Sequence, residues 1–292
     1  MRRSRAPALL LAAAMALGPR PAPAAVPGAF TTRTGVAYGP SPAEQGDLFL
    51  PSSAGPRLRP AVLVIHGGGW VGGERATNAW LSGLIASNGF VAFNIDYRLA
   101  EAAHDDTHWP AQLADAQLAV RWLRANAAAL KIDPARIGAI GDSAGGTLAV
   151  LLGVLDQPVP GPEAALLAGQ RTGVAAVVDQ FGITDLAALG PGAATMVHAM
   201  FGAAPAPGLV ESVSPLPAVS RRSAPMRLVH GDNDQVVPLA QSERLAAALQ
   251  DKGIEAQLVT YHGGHGYEGV APADLQALFM QDIAWLQQRL GR

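Results

Sequence analysis

Apolar and polar positions along the chain fall into two alternating kinds of run. Ala61-Val62-Leu63-Val64-Ile65 is continuously apolar, the pattern of a strand covered on both faces. Val91 to Tyr97, Ile137 to Ile140, Val174 to Gln180, Met226 to His230 and Glu255 to Tyr261 are the further strand candidates. Between them, apolar residues recur at three- and four-residue spacing, which predicts amphipathic helices. These cover Thr77 to Ser87 (closed by Asn88-Gly89), Pro110 to Leu130, Leu239 to Leu249 and Ala273 to Leu290. In the second of them Leu113, Ala116, Ala119, Val120 and Leu123 share the apolar face. Thr147 to Val154 is a shorter helix-like run, and Asp133-Pro134 marks a turn with a capping residue before proline.

Strand and helix alternate throughout, which predicts an α/β protein: a mostly parallel sheet, helices on both faces and right-handed crossovers. Val26 to Pro60 is rich in Gly, Pro and Ser and holds one strand, Asp47 to Leu50, so it reads as an opening hairpin or edge region. The Ala/Pro/Gly-rich interval from Leu186 to Pro225 has room for at most a small lid of loops or short helices. No internal repeat is present.

The first residues change the picture of what reaches the folded state. Met1-Arg2-Arg3-Ser4-Arg5, the apolar stretch Ala8 to Leu17 and the small-residue site Ala22-Pro23-Ala24-Ala25 read as a secretory signal peptide. Cleavage is expected after Ala24 or Ala25, since the apolar stretch is too short to span a bilayer. Residues 26–292 then suit one α/β domain, exported to periplasm or medium, without stable membrane insertion. A net charge of −2, with 15% charged residues, gives no basic surface for nucleic acid. The cysteine count of 0 excludes disulfides, thiolate metal sites and a cysteine nucleophile.

Ligands of such sheets bind outside the carboxyl ends of the strands, and the chemically suggestive groups fall there. Gly141-Asp142-Ser143-Ala144-Gly145-Gly146 follows a strand and opens a helix, the G-x-S-x-G pattern that raises a serine hydroxyl on a sharp elbow. Ser143 is therefore the candidate nucleophile. A serine needs a base, and the base needs an acid to hold one tautomer. The acid is either Asp232 or Asp234, both just past the strand Met226 to His230, and spacing does not separate them. His265, flanked by Gly264 and Gly266, is favoured as base over His262, which directly follows its strand.

Taken together, HGGGW at 66–70, DYRLA at 96–100, GDSAGG at 141–146, HGDNDQVVP at 230–238 and GGHG at 263–266 resemble the α/β-hydrolase esterases. The nearest groups are the hormone-sensitive-lipase-like carboxylesterases and the feruloyl or acetyl esterase-like enzymes. The resemblance implies Ser143 as nucleophile, Asp234 as the acid and His265 as general base. It also implies an oxyanion hole made of the backbone amides of Gly68, Gly69 and Ala144, with no cofactor and no metal. The expected reaction is hydrolysis of a short-chain acyl ester, acetyl-like or feruloyl-like, on a small molecule or polysaccharide. Only a short segment precedes the strand before His66, where lipase-like relatives often carry a helical cap, so an open cleft is expected. The alternative on the same fold is an amide hydrolase of formamidase or peptidase type. A non-catalytic binding protein ranks last, because all three reacting residue types are present.

Other polar residues have plainer readings. His66 and His230 are expected to organise their loops, Asp142 to stabilise the elbow, and Tyr97 and Arg98 to tie down a neighbouring loop. Trp70 lines an acyl pocket or packs the glycine loop. His104-Asp105-Asp106-Thr107-His108 reads as a solvated loop, because adjacent residues seldom converge on one ion. Trp80, Trp122 and Trp285 sit in helical runs and are expected in the core.

Overall fold

Among the described residues eight strands form one sheet in the order β1-β2-β4-β3-β5-β6-β7-β8. They are β1 (Phe30–Ala37), β2 (Gln45–Pro51), β3 (Arg59–Ile65), β4 (Val91–Ile95), β5 (Ile132–Asp142), β6 (Val177–Gln180), β7 (Met226–Gly231) and β8 (Ala256–Tyr261). This computed structural model describes residues 30–52, 57–101, 104–189, 198, 200, 201 and 208–291. The expected signal peptide lies outside the described residues. β1, β2 and β4 pair antiparallel, and β3 to β8 are parallel to their neighbours. The expected edge region is thus the β1-β2 hairpin. β1 itself is mostly exposed, so it carries no apolar alternation from which a strand could be read.

Among the described residues the longer helices are α1 (Ala79–Ser87), α2 (Ala111–Ala125), α3 (Ala144–Val154), α4 (Ala240–Asp251) and α5 (Pro272–Leu290). The continuous apolar strands serve two cores at once. Ala61, Leu63 and Ile65 of β3 join one cluster with Leu113, Val120 and Leu123 of α2, Leu148 of α3 and Leu245 of α4. Val62 and Val64 face the other way, onto Leu81 and Ile85 of α1 and Phe279, Ile283 and Leu286 of α5. Successive strand side chains point to opposite faces, and each such buried side chain contributes about 1.5–3 kcal/mol. Trp285 is buried as expected. Trp122 and Trp80 are half-buried, stacking on Phe93 at 5.0 Å and meeting Phe279 edge-on at 4.5 Å.

Two expected boundaries change for identifiable reasons. The helix predicted over Pro110 to Leu130 breaks at Asn126, whose side chain donates to the Trp122 carbonyl at 2.9 Å. A single helical turn, Ala127–Leu130, follows. The Asp133-Pro134 turn lies inside β5 and caps no helix. Arg59 and Ala61 of β3 pair with Ile132 and Ile137, so β5 bulges between them. Asp133 holds the bulge, accepting the Ala135 amide and the Arg136 Nε, each at 2.9 Å. From Leu186 to Pro225 the described residues include three short 3-10 turns, Leu186–Leu189, Glu211–Val213 and Leu216–Ala218. Among the described residues no helix is long and apolar enough to cross a membrane.

Candidate active site

β5 delivers Ser143 at its carboxyl end with φ 52° and ψ −119°, a backbone conformation rare for a residue with a side chain. Such a conformation persists only where the surroundings fix it. The Ser143 amide donates to the Gln180 carbonyl of β6 at 2.8 Å, and the Ser143 carbonyl accepts from Thr147 at 3.0 Å. The helix expected from Thr147 therefore begins at Ala144, one residue past the serine. Gly145 makes this possible: a Cβ there would lie 2.3 Å from the Ile65 carbonyl oxygen. Asp142 is buried and accepts from Asn78 Nδ2 at 2.9 Å, which ties the elbow to the turn before α1.

The two candidate acids part company after β7. Asp232 is exposed and turns to His262, with Oδ2 3.2 Å from Nδ1. Asp234 is buried, and its Oδ1 accepts the amides of Val236 and Val237 at 2.8 Å each. Its Oδ2 accepts from His265 Nδ1 at 2.7 Å. Burial alone would raise this carboxyl. The hydrogen bonds from His230 and His265, the His265 charge and the Val237 amide outweigh it and hold Asp234 well below the usual carboxylate range.

His265 lies in a turn after β8 and places Nε2 3.0 Å from Ser143 Oγ. Nδ1 must carry a proton to donate to Asp234, so Nε2 presents its lone pair to the serine. The geometry therefore brings together Ser143, His265 and Asp234 and leaves Asp232 and His262 as a surface pair. This arrangement can draw a proton from a serine hydroxyl.

The glycine loop after β3 folds tightly. Gly68 has φ 120°, and a Cβ there would meet the Gly72 carbonyl oxygen at 2.1 Å. Gly69 and Trp70 follow at φ 61° and 63°, with Trp70 fully buried. Trp70 thus packs the loop. His66 is buried beneath, donating from Nδ1 to the Gly67 carbonyl at 2.7 Å and stacking on Tyr97 at 4.4 Å. Burial pulls the His66 imidazole below its ordinary value, against the Gly67 hydrogen bond. Tyr97 donates to the His66 carbonyl at 3.0 Å. His230 donates from Nε2 to the Val237 carbonyl at 2.8 Å and receives the Ser242 hydroxyl at Nδ1, 2.7 Å away. It therefore braces the loop that carries Asp234.

Arg98 is the centre of a buried acidic cluster that sequence reasoning missed. Its Nη2 lies 2.5 Å from Asp115 Oδ1 and 2.8 Å from Glu163 Oε1, with Glu44 alongside. The guanidinium pairs with Asp115 and Glu163, while burial pushes the Glu44 carboxyl up to about 7. His104 and His108 diverge, turning to Glu101 and Asp105 at 3.7 and 3.6 Å. Phe181 was also missed. It follows β6 at φ 46°, is fully buried and sets its ring edge-on to His265 at 4.9 Å. Its one signal in the sequence is its place directly after a strand beside the elbow.

A mostly parallel sheet flanked by helices, with a serine elbow after β5, an acid after β7 and a histidine after β8, defines an α/β-hydrolase. Residues 47–249 match the BD-FAE family model. The chain belongs to the BD-FAE family. It is 30% identical over 251 residues to the esterase LipC of Mycobacterium tuberculosis, matching 82% of this chain and 60% of LipC. The chain thus spans about three fifths of that relative's length. A truncated carbohydrate esterase from gut microbiota superposes with a TM-score of 0.79 at 26% identity, covering 91% of this chain and 99% of that one. An acetyl ester-xyloside bifunctional hydrolase from Caldicellulosiruptor lactoaceticus gives a TM-score of 0.71 at 26% identity, covering 84% and 88%.

Proposed function

We propose that this chain is a serine carboxylesterase acting on short acyl esters, acetyl-like or feruloyl-like, carried by a small molecule or a polysaccharide. One observation carries the reading: Ser143 Oγ lies 3.0 Å from His265 Nε2 while His265 Nδ1 lies 2.7 Å from Asp234. In the proposed reaction His265 takes the Ser143 proton as Oγ attacks the ester carbonyl. The tetrahedral oxyanion rests on the amides of Gly68, Gly69 and Ala144. The last of these opens α3, where the first N–H groups lack helical acceptors and the dipole favours negative charge. The C–O bond then breaks, and the alkoxide leaves with the proton from His265. Water, deprotonated by His265, attacks the acyl-enzyme and releases the carboxylic acid with Ser143 restored. Asp234 stays ionised throughout and steadies the imidazolium.

The acetyl ester and carbohydrate ester names of the two structural relatives support the short-acyl assignment. The basic and then apolar start of the chain supports export, to periplasm or medium, as part of the same proposal. The test is turnover of p-nitrophenyl acetate and of longer-chain esters, together with labelling by a fluorophosphonate. Ser143→Ala is expected to abolish both turnover and labelling while the circular dichroism spectrum is kept. Full activity in that variant, or a preference for long chains, would overturn the assignment.

A further inference from the structure

At the end of the sheet opposite Ser143 lies a cavity of about 520 Å³ lined by Arg124, Arg171, Arg222 and Gln170 together with Ala135 and Gly173. Ala135 and Ser143 sit near opposite ends of β5, eight residues apart. At about 3.3 Å per strand residue the two are at most about 26 Å apart, less what the β5 bulge takes up. Among the described residues no acidic one lines the cavity. Arg124, near the end of α2, donates Nε to the Pro134 carbonyl at 3.1 Å, Nη1 to that of Arg171 at 2.6 Å and Nη2 to that of Gly173 at 2.7 Å. These acceptors are neutral, so they fix the guanidinium without cancelling its charge.

Of the nearby carboxylates one is committed elsewhere and one pairs only at the outer limit of ion-pair distance. Asp133 accepts from Ala135 and Arg136. Asp156 approaches Arg222 only at 4.0 Å, with both side chains largely exposed. Burial, and then the charge of Arg171, draw the Arg124 guanidinium down to about 10. Like charges held in one cleft are relieved by an anion between them. A guanidinium fork matches the two oxygens of a carboxylate or phosphate. We propose that this cavity binds a small oxyanion, a phosphate or carboxylate group, held by Arg124, Arg171 and Arg222.

The full chain is titrated by calorimetry and thermal shift with inorganic phosphate and, in a separate arm, with glucuronate, chloride keeping the ionic strength constant. Saturable binding with a rise in Tm is expected in at least one arm and absent with chloride alone. Tighter phosphate binding assigns a free anion, and tighter glucuronate binding assigns the carboxylate of an acidic sugar. Arg124→Gln removes three ties to backbone and threatens folding, so the exposed pair carries the test. In Arg171→Gln/Arg222→Gln the affinity should fall at least about tenfold, with turnover of p-nitrophenyl acetate unchanged. No saturable binding in either arm, or undiminished binding by the double variant, would overturn the proposal.

Discussion

The amide of Ser143 is fixed by the carbonyl of Gln180 at 2.8 Å, and the side chain of Gln180 is itself fixed from below. Its Nε2 donates to Asp282 of α5 at 3.0 Å, and Asp282 also accepts Arg227 Nε at 2.7 Å. The elbow is thus anchored through β6 to a buried polar triad on the α5 side of the sheet.

Asp282 and Arg227 are both buried. Replacing Asp282 with Ala leaves a buried guanidinium without its counter-charge, which typically costs about 3–5 kcal/mol. Urea unfolding of Asp282→Ala should show a lowered midpoint of that order. Because the Gln180 carbonyl remains, kcat of the folded fraction should stay within a few-fold of wild type. A loss below about 1 kcal/mol would mean that the triad contributes no more than a surface pair.

The two aspartates after β7 should differ sharply in the proposed reaction. Asp234→Asn keeps the shape but reverses the hydrogen-bond preference at His265 Nδ1, and the analogous change elsewhere lowers kcat by about 10⁴. Asp232→Asn disturbs only exposed contacts, with His262 and with the Gly263 amide, so its kcat should change by less than about three-fold. Steady-state kinetics on p-nitrophenyl acetate, with circular dichroism as a control for folding, decides between them. A larger loss for the Asp232 variant would reverse the assignment of the acid.

These contrasts show where the sequence was legible. The strands with continuous apolar runs and the G-x-S-x-G elbow could be read because burial on both faces and a sharp turn restrict residue choice locally. Asp232 and Asp234 could not be separated because the difference is made by partners distant in sequence. The Asp232 amide pairs with the Tyr261 carbonyl and the Asn233 amide with that of Gly263, which brings Asp232 beside His262 and leaves Asp234 to turn inward. β1 was hidden because an exposed edge strand shows no alternation. Phe181 and the Arg98 cluster were hidden because chain crossings bring their partners together from several elements.

Gly145 tests the elbow sterically. A methyl group there would press on the carbonyl oxygens of Ile65 and His66, at 2.3 and 2.5 Å, and neither is a flexible side-chain end. Overpacking of this kind typically costs about 1–3 kcal/mol. The strain falls between α3 and β3, the two elements that carry Ala144 and the glycine loop. Gly145→Ala should therefore lower Tm and reduce kcat by at least about tenfold, read by thermal unfolding and by kinetics on the same preparation. Wild-type Tm and kcat together would show that the two elements separate without cost.

Asp179 gives a pH dependence whose sign is fixed by its surroundings. It is fully buried on β6, and its Oδ1 accepts the Gly182 amide at 3.0 Å. Burial pushes the carboxyl up to about 7, against the opposing effects of nearby His230 and the Gly182 amide. The folded state therefore holds this proton more tightly than the unfolded chain, where the ordinary value is 3.8. Stability from this group is complete below pH 4, declines as pH rises from 4 to 7, and is constant above. About three pH units of linkage correspond to a loss on the order of 4 kcal/mol at pH 8. Asp179→Asn keeps an acceptor for Gly182 but has no proton to lose, and His230 is present in both proteins. Urea unfolding should find the variant close to wild type at pH 4 and more stable by several kcal/mol at pH 8. A stability difference that does not grow across this range would show that Asp179 folds as an ordinary ionised carboxylate.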